Sequence, residues 1–489
     1  MAEPSYDTPP APPDAADALR WEESRRRERM LSGRWKTDLE DALVKLFGLT
    51  RRPIIGRKSL AENPFRNLCN QLACNYVEPP MVTHPDGEFP GLLGRGGILD
   101  QTGLYLLLRR LQPRLIGLRE MLVNVAWSPA LGRPVLRLVR PDTVTGQAYQ
   151  SNPGTPVALQ ELRWRAGRWC WDAYSIDGAP FFRVLSADQK QDLTLEMLGA
   201  TFEGDAYPYR YSDGRPFLPY ALYHASCREQ LWDPNEGIEV VDGTLDLACA
   251  YTYQNHTLFK AAFPQRWALN ARVEGVAISQ DGRRSEVPTD PTGLLHLGTE
   301  ADLPQGAPVQ IGQWGPGADP EMIARVIAKM RAAIATFDGI GGGALVENSS
   351  NPMSAEALVL SNEGRREAQR RYAGELEPSD LDLIGKIAAV SNLEGLTDFP
   401  ESGYQIRYRA IPLSASEQDA RRRHASEMVA SGRWSIVDAY LHENPGLLRS
   451  EAITALERIA AENARFRVVA GTQPAAYAIQ PNTPPPPPQ

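Results

Sequence analysis

A mostly helical α+β fold is predicted for this chain, and three features of the sequence carry that class. Residues 319–337, DPEMIARVIAKMRAAIATF, repeat apolar residues at three- and four-residue steps, the period of one helix face. Residues 120–175 instead alternate apolar with polar side chains in short runs broken by turn residues, as antiparallel strands do. The 41 prolines and 40 glycines imply many turns between such pieces. At 489 residues the chain exceeds one compact core, so about two to four domains are expected.

Bulk composition excludes several classes. The hydrophobic and charged fractions, 42% and 23%, are those of an ordinary soluble protein. No apolar run is long enough to span a bilayer. The acidic, proline-rich start has no apolar segment, so no secretory signal is expected. Five scattered cysteines, Cys69, Cys74, Cys170, Cys227 and Cys249, fit reduced cytoplasmic thiols better than a disulfide framework. A net charge of −8 argues against gripping nucleic acid over the whole surface, yet allows nucleic acid to slide past.

Taken in order, residues 1–15 and 471–489 are low-complexity and are expected to be disordered arms. A charged helix, ALRWEESRRRERM, follows; it reads as an exposed arm or docking segment, with a solvated face as the preferred explanation of its charges. Two helical segments fill residues 35–77. The second places Phe65, Leu68, Leu72 and Tyr76 on one face and is ended by Pro79-Pro80. Residues 98–122 continue as helix, ended or kinked at Pro113. Strands follow in MLVNVAWS and PVLRLVRPDTV, and a hairpin turns tightly at Ala166-Gly167. Residues 35–230 therefore read as one α+β domain.

Residues 244–263 form a helix, with Leu245, Ala248, Cys249, Thr252 and His256 at helical spacing. Residues 265–316 turn strand-like and rich in Gly and Pro, a small β module between two helices. The second of those helices is capped by Asp319, begins at Pro320 and carries the stripe Ile323, Val326, Ile327, Met330, Ile334 and Phe337. Arg325 and Lys329 share an exposed edge on another face. Gly339, Gly341, Gly342 and Gly343 stop the helix and open a polar loop that Asn351-Pro352 closes, and Ser354 can cap the next helix. A further helix spans SDLDLIGKIAAVSNLEG, and YQIRYRAIPL reads as a strand. Two final helices are joined by RWSIVDAYLHENPGLL.

No motif in this chain assembles a catalytic site. The Gly341–Gly343 cluster lacks the Gly-Lys-Ser/Thr of a phosphate loop and follows a helix rather than a strand. Cys69 and Cys74 have no nearby ligand pair, so core packing is their default. The six histidines never fall at metal-ligand spacing, and His442-Glu443 reads as a surface turn. The acid pairs Glu239/Asp242 and Asp380/Asp382 arise readily by chance among 60 acidic residues. Arg365-Arg366, Arg370-Arg371 and Arg421–Arg423 could face a polyanion or a neighbouring subunit, but a solvated or ion-paired face is the simpler reading. No enzyme activity, cofactor or metal is expected.

The order of parts resembles the portal (head-to-tail connector) proteins of tailed double-stranded DNA bacteriophages, over roughly residues 35–465. The phrases that carry it are NHTLFKAAFPQRWALNA, LPQGAPVQIGQWGPGAD, EMIARVIAKMRAAIATF, NPMSAEALVLSNEGRREAQRR and MVASGRWSIVDAYLHENPGLLRSEAITALERIAAENA, with echoes in PVLRLVRPDTV and GRPFLPYALYH. The resemblance implies a ring of about twelve copies at one capsid vertex, a channel for packaging and ejecting DNA. It divides the chain into an N-terminal arm (1–34), an α+β wing (35–242), a first stem helix (243–263) and a clip (264–318). A second stem helix (319–338), a tunnel loop (339–352) and a long helix returning to the wing (353–413) follow. Crown helices (414–466) and a Pro-rich tail (467–489) complete it.

By the same resemblance, Gly341, Gly342, Gly343, Glu347, Asn348, Ser349, Ser350 and Asn351 would line the channel, and Arg325 and Lys329 on the stem could face DNA. Arg272, Arg283, Arg284 and Glu286 on the clip would contact the motor or the adaptor. The implied partners are further copies of the chain, duplex DNA, the terminase large subunit, a head-tail adaptor, and major capsid and scaffold proteins, with no membrane. The implied location is the virion's portal vertex, and the host cytoplasm during assembly. Two rivals stay open: a monomeric adaptor or minor virion protein, and a metal-dependent enzyme.

Overall fold

The computed structural model describes residues 10–12, 14–47, 62–226, 230–232, 237–262, 265–269, 271–273, 297–299, 310–314, 319–337, 355–395, 397–409, 415–444 and 449–470. The chain divides into two units, residues 1–351 with 361–409, and residues 352–360 with 410–489.

The first unit opens with helix α1 (Ala15–Leu31), whose N-terminal amide of Ala16 is accepted by Asp14. This helix corrects the expectation of an exposed arm: Arg20, Trp21, Arg27 and Met30 are buried. Arg20 donates to the Pro141 carbonyl at 2.8 Å and to that of Val144, pairs with Asp17, and lies 4.2 Å over the Trp232 ring. The Trp21 indole also donates to Val144, at 3.1 Å. Arginine-rich stretches look solvated in sequence. Here the guanidinium finds carbonyl acceptors and an aromatic face, so its stem can be buried.

Helices α2 (Lys36–Phe47) and α3 (Pro64–Leu72) follow, α3 capped by Asn63 and burying Phe65, Leu68 and Leu72 as their spacing predicts. It stops at Leu72, short of Pro79-Pro80, though Tyr76 beyond it is also buried. After strand β1 (Met81–Thr83) come two short helices, α4 (Pro90–Leu93) and α5 (Ile98–Gln101). Gly103, at φ +68°, separates them from α6 (Leu104–Leu118). Pro113 does not end α6. Its absent N–H would have bonded to the carbonyl of Arg109, an exposed residue, while Leu108, Leu111 and Leu115 hold the other side of the helix in the core.

A three-stranded antiparallel sheet has β2 (Glu120–Ser128) between β3 (Arg133–Val139) and β9 (Tyr220–His224). A five-stranded one runs β4 (Val144–Tyr149), β5 (Asn152–Arg165), β6 (Arg168–Ser175), β7 (Phe181–Ser186), β8 (Phe202–Glu203), with helix α7 (Thr194–Leu198) before its last strand. Strand β2 is covered on both faces. Met121, Val123 and Val125 join the helical core, while Leu122 joins Tyr220, Leu159 and Tyr174 between the sheets. That double burial explains why MLVNV reads as a nearly continuous apolar run. The β5–β6 hairpin turns at Ala166 and Gly167, both at positive φ (45° and 81°), where the sequence predicts it. Its outer face takes Trp21 of α1 against Leu162 and Trp171.

Helix α8 (Ile238–Ala262) begins six residues before the expected Thr244. Strand β10 (Gln265–Leu269) pairs antiparallel with β13 (Gln310–Trp314), and β11 (Ala271–Val273) with β12 (Leu297–Thr299), so the strand-like reading of this insert holds for its described residues. Helix α9 (Pro320–Phe337) returns, and Asp319 accepts from the Glu321 amide at 3.0 Å, the cap its sequence predicts.

Helix α10 (Ala355–Leu393) corrects the expectation of two helices, for it runs unbroken through Pro378. Beyond the proline, Ser379 donates to the Leu222 carbonyl at 2.8 Å. Asp380 accepts hydroxyls from Tyr76 and Tyr223, each at 2.8 Å, and from Tyr408 at 2.6 Å. These bonds, and the burial of residues 383–391, hold the helix where its missing N–H would have let it bend. Strand β14 (Gln405–Arg407) closes the unit by pairing with β1.

In the second unit lie helices α11 (Ala415–Ala430), α12 (Ile436–Glu443) and α13 (Arg449–Ala470). Helix α12 replaces the expected linker, and His442-Glu443 ends it rather than forming a turn. The signal lay in Ser435-Ile-Val-Asp438, a reciprocal capping box. The rings of His424, Trp434 and His442 cluster, with centroids 4.9–5.7 Å apart.

Candidate functional site

The expected site residues are carried by α8, α9 and the segments at their ends. Helix α9 packs on α8, with Gly243 so close to Ile334 that a β-carbon there would lie 3.3 Å from its side chain. Ile323, Ile327 and Ile334 are buried, and Met330 packs partly against the same core. Val326 departs from the expected stripe: it is 48% exposed, as Met322 is 56% exposed. Successive helix residues advance by about 100°, so Val326 lies at the edge of the stripe centred on Ile323 and Ile327.

The outer face of α9 carries Arg325 and Lys329, both exposed as expected. Arg325 is 3.4 Å from Glu321 one turn earlier, a solvent-exposed pair that holds the guanidinium only weakly. This face can offer a polyanion two mobile cations, with Glu321 moderating the first.

One residue that sequence reading passed over does more to fix the helix pair. Arg331 donates to Glu62 at 2.7 Å and to the Tyr251 hydroxyl at 3.0 Å, and that hydroxyl donates to Glu62 at 2.6 Å. Burial and the bond to Glu62 push the Tyr251 hydroxyl up to about 12. The triad ties α9, α8 and the segment before α3 together. No spacing in the sequence could have linked residues 62, 251 and 331.

Arg272 lies on β11 opposite Gly298. Gly341, Gly342, Gly343, Glu347, Asn348, Ser349, Ser350 and Asn351 lie outside the described residues, as do Arg283, Arg284 and Glu286. Three of the four acids weighed as metal ligands are used otherwise: Asp242 is in contact with Arg26, Asp380 with its three tyrosines, and Asp382 with Lys386 at 2.7 Å. Cys69 and Cys74 are buried as expected of core thiols. Among the described residues no cluster of three or more His, Cys, Asp or Glu could hold a metal, and no helix is long and apolar enough to cross a membrane.

No protein-family model matches the sequence, and no curated protein matches it. Among solved structures, a chain described as from the neck of an empty gene transfer agent (GTA) particle, computed with C6 symmetry, aligns at 13% identity. Its TM-score is 0.42, over 78% of this chain and 89% of that one. A chain from the virion of a native gene transfer agent particle aligns with a TM-score of 0.37 at 14% identity, over 78% and 90%. At these values the function has to be argued from the residues of this chain.

Proposed function

We propose that this chain is a portal protein, which assembles as a ring at one capsid vertex and forms the channel through which genomic DNA enters and leaves. The observation that carries the reading is the helix pair α8–α9 prolonged by the β10–β13 ribbon, with Gln265 opposite Trp314. It makes a two-helix stalk ending in strands, followed by a Gly- and Asn-rich segment and a long helix, in the order the resemblance implies. Arg325 and Lys329 on the exposed side of that stalk, in a chain of net charge −8, suit weak and salt-sensitive contact with passing phosphates rather than a grip.

On this reading residues 341–351 form the collar around the DNA, and the insert around Arg272 meets first the terminase and then the adaptor. The chain itself carries out no hydrolysis; the packaging motor supplies it. Capsid and scaffold proteins surround the ring in the virion, and assembly takes place in the host cytoplasm.

The test is the mass of the purified protein together with top views of it by electron microscopy. A ring of about twelve chains around a hole of ~20 Å or more, the width of a duplex with its grooves, is expected. A single-chain mass at every concentration and with scaffold protein present would overturn the ring and favour the monomeric adaptor.

A further inference from the structure

Two helices of the first unit carry opposite charges on their exposed faces. On α6, Leu106, Arg109, Arg110 and Arg114 are all exposed, at spacings that put them on one side. On α8, Glu239, Asp242 and Asp246 recur at i, i+3 and i+7 and are exposed too. Arg114 lies 3.7 Å from Glu28 of α1, and Asp242 is in contact with Arg26 of the same helix. Arg109, Arg110, Glu239 and Asp246 form no ion pair among the described residues.

Helix α1 stands between the two faces. Arg26 and Glu28 are two residues apart and leave it on opposite sides, one toward α8 and the other toward α6. The basic and acidic faces therefore flank α1 on either side. Two different, complementary patches on one chain are what a head-to-tail contact requires, because each copy offers one patch to the neighbour before it and the other to the neighbour after it.

We propose that the arginine face of α6 docks on the acidic face of α8 of a second copy of this chain. This contact rests on the ring reading above and names the surface that would set its direction. Leu106 and Tyr253, exposed on the same two faces, give each an apolar end, so the contact is not built of charge alone. Charges at the edge of such a contact act mainly on the rate and specificity of association, and salt screens them.

The experiment uses the full-length chain in four forms: wild type, Arg109→Glu/Arg110→Glu, Glu239→Lys/Asp246→Lys, and a chain with all four changes. Each is checked for wild-type thermal unfolding, since all four positions are exposed, and then sized by light scattering at low and moderate salt. Each two-site variant opposes like charges at every contact and is expected to associate at least about tenfold more weakly than wild type. The four-site chain restores attraction with the signs exchanged. An equimolar mixture of the two two-site variants does so as well, in rings where the two kinds alternate.

Assembly of wild type with undiminished assembly of both two-site variants would overturn the docking surface and leave the ring standing. Failure of both the mixture and the four-site chain to recover assembly would overturn it equally. A wild-type chain that never assembles would overturn the ring reading itself, and the docking surface with it.

Discussion

Glu161 and Asp172 sit directly opposite each other on β5 and β6, buried between the two sheets, with like charges facing across one pair of strands. Such a pairing is unfavourable by itself. It is tolerated because each carboxylate has its own partners, one arginine and a tyrosine for Glu161 and two arginines for Asp172. Arg137 reaches Glu161 through two bonds of 2.5 and 2.6 Å, and Tyr220 adds its hydroxyl at 2.8 Å. Arg165 reaches Asp172 at 2.8 and 2.6 Å, and Arg163 at 3.0 Å. Arg137→Leu strands Glu161 and is expected to cost about 3 kcal/mol in urea unfolding. Arg137→Leu/Glu161→Leu should recover much of that loss. If the single variant unfolds like wild type, the pair is not what holds the sheets together.

Asp380 makes stability depend on pH in an unusual direction. Burial pushes its carboxyl up to about 6, against three tyrosine hydroxyls that pull it down. Because the folded value lies above the ordinary carboxylate range, its contribution is full below about pH 4 and is lost as pH rises through 6. Wild type should therefore lose about 3 kcal/mol relative to Asp380→Asn between pH 4 and pH 7. Parallel stability curves for the two proteins would show that folding leaves the carboxyl at its ordinary value.

Gly385 lies in the interior of α10, where alanine is ordinarily the better helix former by about 1 kcal/mol. A β-carbon there would stand 2.4 Å from the Glu401 carbonyl oxygen, a backbone atom that cannot swing aside. Gly385→Ala should therefore destabilise, by about 2 kcal/mol or more. Gly374→Ala, on the same helix with nothing near its added carbon, is the control and should be neutral or mildly stabilising.

Arg325→Ala/Lys329→Ala separates function from folding. Both side chains are exposed, so thermal stability should change by no more than about 0.5 kcal/mol. On the channel reading the length of packaged DNA or the packaging rate should fall, most at low salt. Unchanged packaging would remove these two residues from the channel wall.

Legibility followed the range of the interaction that decides each element. The Ala166-Gly167 turn, the Asp319 cap and the α3 face depend on neighbours within a few residues, and the sequence alone places them. Misreadings arose where a distant partner decides. Helix α1 hides its buried face because the acceptors for Arg20 lie some 120 residues away. Pro378 is a local stop signal that tertiary packing overrides, and Pro113, expected to end or kink its helix, does not end it. Helix α12 is the exception, a locally decided element whose capping box stands in the sequence. Of the candidate site, the exposure of Arg325 and Lys329 could be read from periodicity. The Glu62–Tyr251–Arg331 triad could not.

The pairing of β1 with β14 sets a condition on how this protein can be made. Met81 cannot meet Arg407 until about 320 further residues have left the ribosome, which at about 5–20 residues per second takes roughly 15–60 s. Through that interval the partners of Asp380 are also incomplete, since Tyr408 emerges last. For most of that interval the helical core also lacks its share of α10, Ala368 to Val390, so nascent chains should need a holding chaperone. Truncation before residue 405 should then yield aggregates rather than a smaller folded domain.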